Sequence, residues 1–123
     1  MTGNPVRWFE IYVQDMARAR SFYEAVFGVK CTKLNSGDIE MWGFPMDRSR
    51  SGTSGALVRM PGVPSGGNST VVYFRSDDCA IEASRVAAAG GRVHRDRTSI
   101  GEYGYVVLAL DTEGNMFGVH SLT

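Results

Sequence analysis

Residues 8–13, WFEIYV, place a carboxylate between two aromatic side chains in a run that is typical of a β-strand. Alternation with a period of two residues puts the apolar side chains of the odd positions on one face. The other face then carries Trp8, Glu10 and Tyr12. Such an aromatic face differs from an ordinary solvated surface, and a carboxylate there could bind a ligand or transfer a proton. These three residues are the first candidates for a ligand cavity.

Length, charge and cysteine content disfavour several classes of protein. The 123 residues correspond to one domain that can bury a core without disulfides or metal. The formal net charge is zero, with basic residues spread among acidic ones, so neither nucleic acid nor a membrane is the expected partner. Cys31 and Cys79 form no C-x-x-C pair, which argues against a zinc site or a redox motif. Because the chain shows no leader-like start and no apolar run approaching about 20 residues, we expect a cytoplasmic protein.

Two helices with similar end signals are predicted, one in each half of the chain. Asp15 is suited to cap a helix that ends at Gly28. Asp78 is suited to cap a second helix through CAIEASRVAAAG, which ends at Gly90 and Gly91. The separation from Asp15 to Asp78 is 63 residues, and that from Gly28 to Gly91 is also 63.

Strand-like runs surround each helix in the same order. WFEIYV precedes the first helix, and KCTKL, IEMWGF and GALVRM follow it; VVYF precedes the second, and RVHRD, YVVLAL and MFGVH follow it. The repeat therefore predicts two βαβββ modules, at about 5–60 and 70–123. The Gly-, Pro- and Ser-rich segment 61–69 is interpreted as the linker. A phosphate-binding loop is the alternative there, but no G-x-G-x-x-G motif follows a strand.

Four stretches carry motifs that occur in a fixed order along the chain: DMARARSFYEAVFG (15–28), PSGGNSTVVYFRSDD (64–78), AAAGGRV (87–93) and LDTEGNMFGVHS (110–121). Together they cover most of the chain. In this order, they resemble the vicinal-oxygen-chelate superfamily, which includes glyoxalase I, bleomycin-resistance proteins and extradiol dioxygenases. The resemblance implies an α+β fold in which two βαβββ modules form curved mixed sheets that enclose a cleft, commonly completed by dimerisation.

The resemblance also implies where a metal ion would be held, on the first and last strand of each module. The matching positions are Trp8, Val71, Gly118 and either Gly55 or Ala56. None of these side chains can bind a metal ion, which needs about three to six nitrogen, oxygen or sulfur ligands. No metal and no other cofactor is therefore expected.

Two residues near these positions carry groups that could act instead. Glu10 and His120 lie two residues beyond Trp8 and Gly118 and are predicted on the same faces. They are candidates for relocated metal ligands or for catalytic proton transfer to a substrate carbonyl. A structural role is the alternative, in which Glu10 pairs with an arginine across the sheet and His120 bonds to a tyrosine.

Continued alternation predicts the rest of the cleft face. The predicted ligand-binding residues are Trp8, Tyr12, Leu57, Arg59, Tyr73, Arg75 and Met116, beside Glu10 and His120. Trp42 is added as a side chain that closes the cleft, with a core or dimer-interface position as the alternative. A concave aromatic surface with few polar groups is typical of a small-molecule pocket.

These patterns favour a metal-independent, small-molecule-binding member of the superfamily that forms a homodimer. Bleomycin-resistance proteins favour acidic clefts for cationic drugs, whereas this cleft has Arg59 and Arg75 beside Glu10, so that antibiotic is not carried over. A metal-dependent lyase, isomerase or dioxygenase with relocated ligands is the alternative function. A third interpretation is an interaction domain whose aromatic face buries a partner protein.

Overall fold

The computed structural model describes residues 3–34 and 37–123 of the chain. Within these ranges lie two α-helices, one 3-10 turn (Gly101–Tyr103) and eight strands. The helices are α1 (Met16–Phe27) and α2 (Cys79–Val86); the strands are β1 (Phe9–Tyr12), β2 (Thr32–Leu34), β3 (Glu40–Gly43), β4 (Gly55–Arg59), β5 (Val72–Arg75), β6 (Arg92–Ser99), β7 (Tyr105–Leu110) and β8 (Met116–Ser121). The predicted α+β class is confirmed. In the described ranges, neither helix has the length and apolar character that a membrane crossing needs.

The strands form two sheets with the same internal order. The first sheet runs β1-β4-β3-β2 and the second runs β5-β8-β7-β6. In each sheet the first strand of the unit pairs in parallel with the last, and the remaining pairs are antiparallel. This repeated order confirms two βαβββ units with mixed sheets, which are not closed into a barrel.

Both helices begin at the predicted aspartate caps. Asp15 accepts a backbone N–H of the first turn of α1 at 3.0 Å, and Asp78 does the same for α2 at 3.1 Å. Helix α1 ends at Gly28, whose φ of 63° is the left-handed conformation that glycine adopts without strain. Helix α2 is shorter than predicted, because it ends at Val86 and a turn occupies residues 87–90.

The chain that follows α2 passes close to α1. The Gly91 N–H donates to the Val86 carbonyl at 2.9 Å, which closes the helix. A Cβ atom at Gly91 would lie only 2.5 Å from the Phe22 ring of α1. The backbone therefore turns at Gly90, with a φ of 105°, and passes the ring where only glycine fits.

One aromatic core joins α1 to both sheets. Its rings come from α1, from the first sheet and its following loop, and from the second sheet: Phe9, Phe22, Tyr23, Phe27, Phe44, Phe74 and Phe117. Phe27 lies 4.5 Å from Phe74 and 5.9 Å from Phe117, measured between ring centroids. Phe9 in the first sheet lies 5.9 Å from Phe74 in the second. Because these rings bury apolar area against one another, the two units share a core.

A buried hydrogen bond ties α1 to the turn between β7 and β8. The Tyr23 hydroxyl donates to Asp111 Oδ2 at 2.6 Å, and the Tyr23 side chain is fully buried. Asp111 Oδ1 also accepts the backbone N–H groups of Glu113 and Asn115, at 2.8 and 2.9 Å. Burial, together with the Asp111 carboxylate, raises the pKa of Tyr23 well above its ordinary value, so the phenol stays a donor.

Glu113, in the same turn, holds the entry to α1. Its carboxylate accepts the backbone N–H groups of Gln14 and Asp15, both at 2.9 Å, and Arg18 binds it through two nitrogens at 2.7 and 3.0 Å. Burial alone would raise the pKa of this carboxyl, but the bonds from Arg18, Asp15 and Gln14 outweigh it and lower the pKa to about 2. The ionised carboxylate also complements the positive end of the helix dipole.

Asn115 completes this contact by reaching β1 and the segment between the units. Its Nδ2 group donates to the Tyr12 carbonyl at 2.9 Å, and its Oδ1 atom accepts the Gly66 N–H at 2.7 Å. The β7–β8 turn therefore fixes the end of β1, the start of α1 and the connecting segment together.

Replacing Glu113 with glutamine is expected to destabilise the fold in a pH-dependent way. The folded-state pKa of about 2 lies below the ordinary 4.5, so the ionised group stabilises the protein above pH 4.5 by about 3 kcal/mol. That contribution is lost as the pH falls from 4.5 through about 2. Urea unfolding of both proteins across this range should show the difference in unfolding free energy shrinking toward acid. Glu102→Gln, at an exposed carboxylate, is the control, and an equal pH dependence in both variants would contradict the assignment.

Candidate functional site

The carboxylate of Glu10 holds both aromatic neighbours on its face of β1. Glu10 Oε2 accepts the Trp8 indole N–H at 3.2 Å, and Glu10 Oε1 accepts the Tyr12 hydroxyl at 2.9 Å. The bond to Glu10, followed by burial, raises the pKa of Tyr12 above its ordinary value of 10.0. The three side chains that alternation predicted on one face are therefore joined by hydrogen bonds, and Glu10 orients the two rings.

The corresponding face of the second sheet carries Tyr73, Arg75, Gly118 and His120. Tyr73 is opposite Gly118 and Arg75 is opposite His120 in the parallel β5–β8 pair. His120 Nε2 lies 2.6 Å from the Tyr103 carbonyl, which can only accept, so Nε2 carries the proton in this contact. Tyr73, Arg75 and His120 line a cavity of about 430 Å³ together with Phe74, Ile100 and Val106.

A larger cavity, here called the junction cavity, lies between β5 of the second unit and two parts of the first unit, the segment before β1 and the loop between β3 and β4. Its volume is about 770 Å³, and it is bounded by Arg7, Trp8, residues 45–48 and 50–54, and Arg75 of β5. A side-chain hydrogen bond positions the loop that forms its wall: Thr53 Oγ1 donates to the Arg7 carbonyl at 2.5 Å. Because Trp8 immediately precedes β1 of the first unit and Arg75 lies on β5 of the second, the shape of this cavity depends on how the two units are joined.

A third and smaller cavity lies farther along β1. It has a volume of about 200 Å³, and its lining includes Glu10, Tyr12 and Met116 together with Asn68 and Asn115. Seven of the ten predicted site residues are therefore distributed over three cavities within residues 3–34 and 37–123.

Three predicted site residues lie outside these cavities; for Leu57 and Arg59 the reason is that the register of β4 is displaced by one residue from the prediction. Leu57 is opposite Ile11 and Trp42, so it faces α1 and is fully buried. Trp42 packs against the core, with the Arg20 guanidinium 3.4 Å from its ring centroid. Arg59 donates through Nε to the Gln14 carbonyl at 3.2 Å, which supports the entry to α1.

The β4 register also identifies the residues that share a face with Glu10. Ala56 is opposite Glu10, and Val58 is opposite Tyr12. Ala56 is therefore the counterpart of Gly118 in the second sheet, which decides between the two positions that the sequence left open. Among residues 3–34 and 37–123, the hydrogen-bond partners of Glu10 are Trp8 and Tyr12, whereas the predicted structural alternative had an arginine.

Glu10 and His120 are both well placed on their strands but do not form one acid–base pair. Glu10 lines the 200 Å³ cavity, and His120 lines the 430 Å³ cavity. Each is already bonded to a different partner, Glu10 to Trp8 and Tyr12, and His120 to the Tyr103 carbonyl. The geometry therefore gives them separate roles, in which Glu10 orients rings and His120 anchors the segment before β7.

Comparison with known families agrees with this architecture. A family model described as the Glyoxalase/Bleomycin resistance protein/Dioxygenase superfamily matches residues 6–119. The chain belongs to this superfamily. Among curated proteins, "Putative glyoxylase CFP32" of Mycobacterium bovis is 32% identical over 123 residues, and its namesake from Mycobacterium tuberculosis is equally similar. These alignments cover 91% of this chain but 42% of each relative, so the chain spans less than half their length.

Solved structures share the fold of the superfamily at low sequence identity. TnmS3, an antibiotic binding protein from Streptomyces sp. CB03234, superposes with a TM-score of 0.73 at 21% identity, over 100% of this chain and 99% of that one. Glyoxalase I from Zea mays superposes with a TM-score of 0.74 at 20% identity, over 96% of this chain and 46% of that one. At these identities the similarity shows the fold alone.

The metal-ligand positions of the superfamily do not fit a metal ion in this chain. They are occupied by Trp8, Val71, Ala56 and Gly118, none of which offers a ligand atom of the required kind. At Gly118 the space is filled by the Tyr73 ring, because a Cβ atom there would lie 2.3 Å from Tyr73 Cδ1. Across residues 3–34 and 37–123, no three His, Cys, Asp or Glu side chains are grouped so that they could hold an ion.

Three arginines of the junction cavity were not predicted as site residues. Arg48 and Arg50 belong to DRSRSG, which has the composition of a turn, and Arg7 precedes the first strand. The available signal was a loop with two arginines, together with an arginine and a tryptophan in the two positions immediately before β1. The contact itself depends on how the loop folds back to β1, which local sequence does not specify.

Replacing Glu10 with glutamine is expected to lower the pKa of Tyr12 toward 10.0. In the wild-type protein the ionised phenol would face a negative carboxylate, and in the variant that repulsion is absent. The pKa can be followed by NMR of isotope-labelled tyrosine, with Tyr12→Phe to assign the signal. Glu40→Gln is a matched control, since Glu40 bonds the Trp42 indole at 3.3 Å instead. A Tyr12 pKa that stays the same in Glu10→Gln would show that the bond is absent in solution.

Proposed function

We propose that the chain binds a small organic molecule in the junction cavity, using its own side chains and no metal ion. The observation that carries this proposal is the place and size of the cavity. At about 770 Å³, it lies within the range of ligand pockets, and it offers an indole ring beside polar side chains from both units. Trp8 is 37% exposed there and is oriented by Glu10.

Membership of the superfamily supports small-molecule binding but does not specify whether a reaction is catalysed. One structural neighbour, TnmS3, is described as an antibiotic binding protein, and other relatives are described as glyoxalases. Binding alone requires a cavity and complementary side chains, and the residues around Trp8 supply both. The alternative, a metal-dependent lyase, isomerase or dioxygenase, would need Glu10 and His120 to share one ion, whereas they line different cavities.

Homodimerisation and a cytoplasmic location belong to the same proposal. Tyr73, Ile100 and Tyr103 are 50%, 40% and 68% exposed, and an apolar face of this kind favours a covering partner such as a second copy. Cys31 and Cys79 are unpaired and buried, which is compatible with a reducing compartment.

The two tryptophans provide a built-in test of ligand binding. Both indoles donate to a glutamate, but Trp8 lines the junction cavity and Trp42 packs in the core. In proton–nitrogen NMR, a small-molecule library with neutral, anionic and cationic members should contain compounds that shift the Trp8 indole signal and leave that of Trp42 unchanged. Trp8→Phe assigns the two signals.

Two results would contradict the proposed function. In the first, no compound shifts the Trp8 signal. In the second, Trp8 responds only after zinc, manganese, nickel or iron(II) has been added, and loses that response in Glu10→Gln and in His120→Ala. The second result would instead establish the alternative with relocated metal ligands.

A further inference from the structure

Positively charged side chains are concentrated around the junction cavity, although the formal net charge of the whole chain is zero. Four of the chain's 13 Lys and Arg residues line it: Arg7, Arg48, Arg50 and Arg75. Asp47 is the one acidic residue in the lining, which leaves a formal charge of +3 against a net charge of zero for the whole protein. Arginine stays protonated at all ordinary pH values, so this charge is permanent.

Asp47 compensates only part of this charge. Its carboxylate accepts the Ser49 N–H at 3.0 Å and the Ser49 hydroxyl at 2.6 Å, and Arg50 Nε lies 3.5 Å away. The hydrogen bonds from Ser49 lower the pKa of Asp47, so it is ionised near neutral pH. Asp47 is therefore committed to its own loop and to Arg50.

The other three guanidinium groups are available to a ligand. Arg75 Nη2 makes only long contacts to Ser51, at 3.3 and 3.4 Å. Within residues 3–34 and 37–123, the side chains of Arg7 and Arg48 have no hydrogen-bond or ion-pair partner. Like charges around one cavity repel each other, and an anion placed among them would remove that repulsion.

Trp8 adds an apolar surface beside these charges. Its indole N–H is occupied by Glu10 at 3.2 Å, so what it offers the cavity is the ring rather than a donor. A guanidinium fork matches the two oxygens of a carboxylate, and an indole face suits a flat apolar group. The guanidinium groups and the indole ring line the same cavity of about 770 Å³.

We propose that the ligand of the junction cavity is an organic anion, with a carboxylate held by Arg7, Arg48 and Arg75 and a flat apolar part against Trp8. This inference rests on the proposed function and specifies its ligand class. A free inorganic oxyanion shares the charge but has no apolar part, so it would use the arginines without Trp8.

The test compares naphthoate with naphthamide, which share a ring system and differ in charge. Each is titrated into the full chain while the Trp8 and Trp42 indole signals are followed, and inorganic phosphate forms a third arm. Naphthoate should shift the Trp8 signal and bind at least about tenfold more tightly than naphthamide, with an affinity that falls as salt is added.

Single substitutions locate the effect. Arg7→Gln and Arg75→Gln should each weaken naphthoate binding by about tenfold, the loss expected for one charge-assisted contact. Arg92→Gln removes the same charge from an exposed position on β6, outside the cavity, and should leave the affinity unchanged. Melting temperatures of all three variants verify that each is folded.

The outcomes separate this inference from the proposed function. If naphthamide binds at Trp8 as tightly as naphthoate, or if Arg92→Gln weakens binding as much as the cavity variants, the anion assignment is wrong while small-molecule binding stands. If phosphate binds as tightly as naphthoate, the apolar part of the assignment is wrong. If neither naphthyl compound nor any library member shifts Trp8, both the proposed function and this inference are overturned.

Discussion

The ionised carboxylate of Glu113 is the contact on which the arrangement of the two units depends. It accepts two backbone N–H groups at the entry to α1 and a two-nitrogen contact from Arg18, and its side chain is fully buried. A charge in such a place is stable only when several donors face it. The β7–β8 turn supplies that charge from the second unit, and the first unit supplies the donors.

The same turn determines where the candidate ligand site can form. Asn115 holds the end of β1 through the Tyr12 carbonyl, and Asp111 holds α1 through Tyr23. The position of β1 in turn sets the distance from Trp8, which immediately precedes β1, to Arg75 on β5 of the other sheet. A cavity between two units keeps its shape only if the units do not move against each other. The shared aromatic core of Phe27, Phe74 and Phe117 also restricts that movement.

Local signals in the sequence predicted the fold because most of its elements are locally encoded. The caps at Asp15 and Asp78 and the glycine at 28 lie within one helical turn of the features they control, and the faces of β5 and β8 follow from simple alternation. The face of β4 was predicted wrongly, since its register depends on the length of the loop before it. A displacement of one residue exchanged Leu57 for Ala56 on the face of Glu10. By contrast, the contacts that the DTEGN turn makes with the start of α1, with Gly114 at a φ of 81°, join residues about 100 positions apart and leave no local pattern.

The central claim is that a small molecule binds in the junction cavity. A crystal structure of the protein with the tightest binder from the library would test it most directly, because it shows where the molecule is bound. The account predicts that the ligand lies in the junction cavity, in contact with Trp8 of the first unit and Arg75 of the second. A ligand bound only against Tyr73 and His120, or only in the smaller cavity beside Glu10 and Met116, would contradict it.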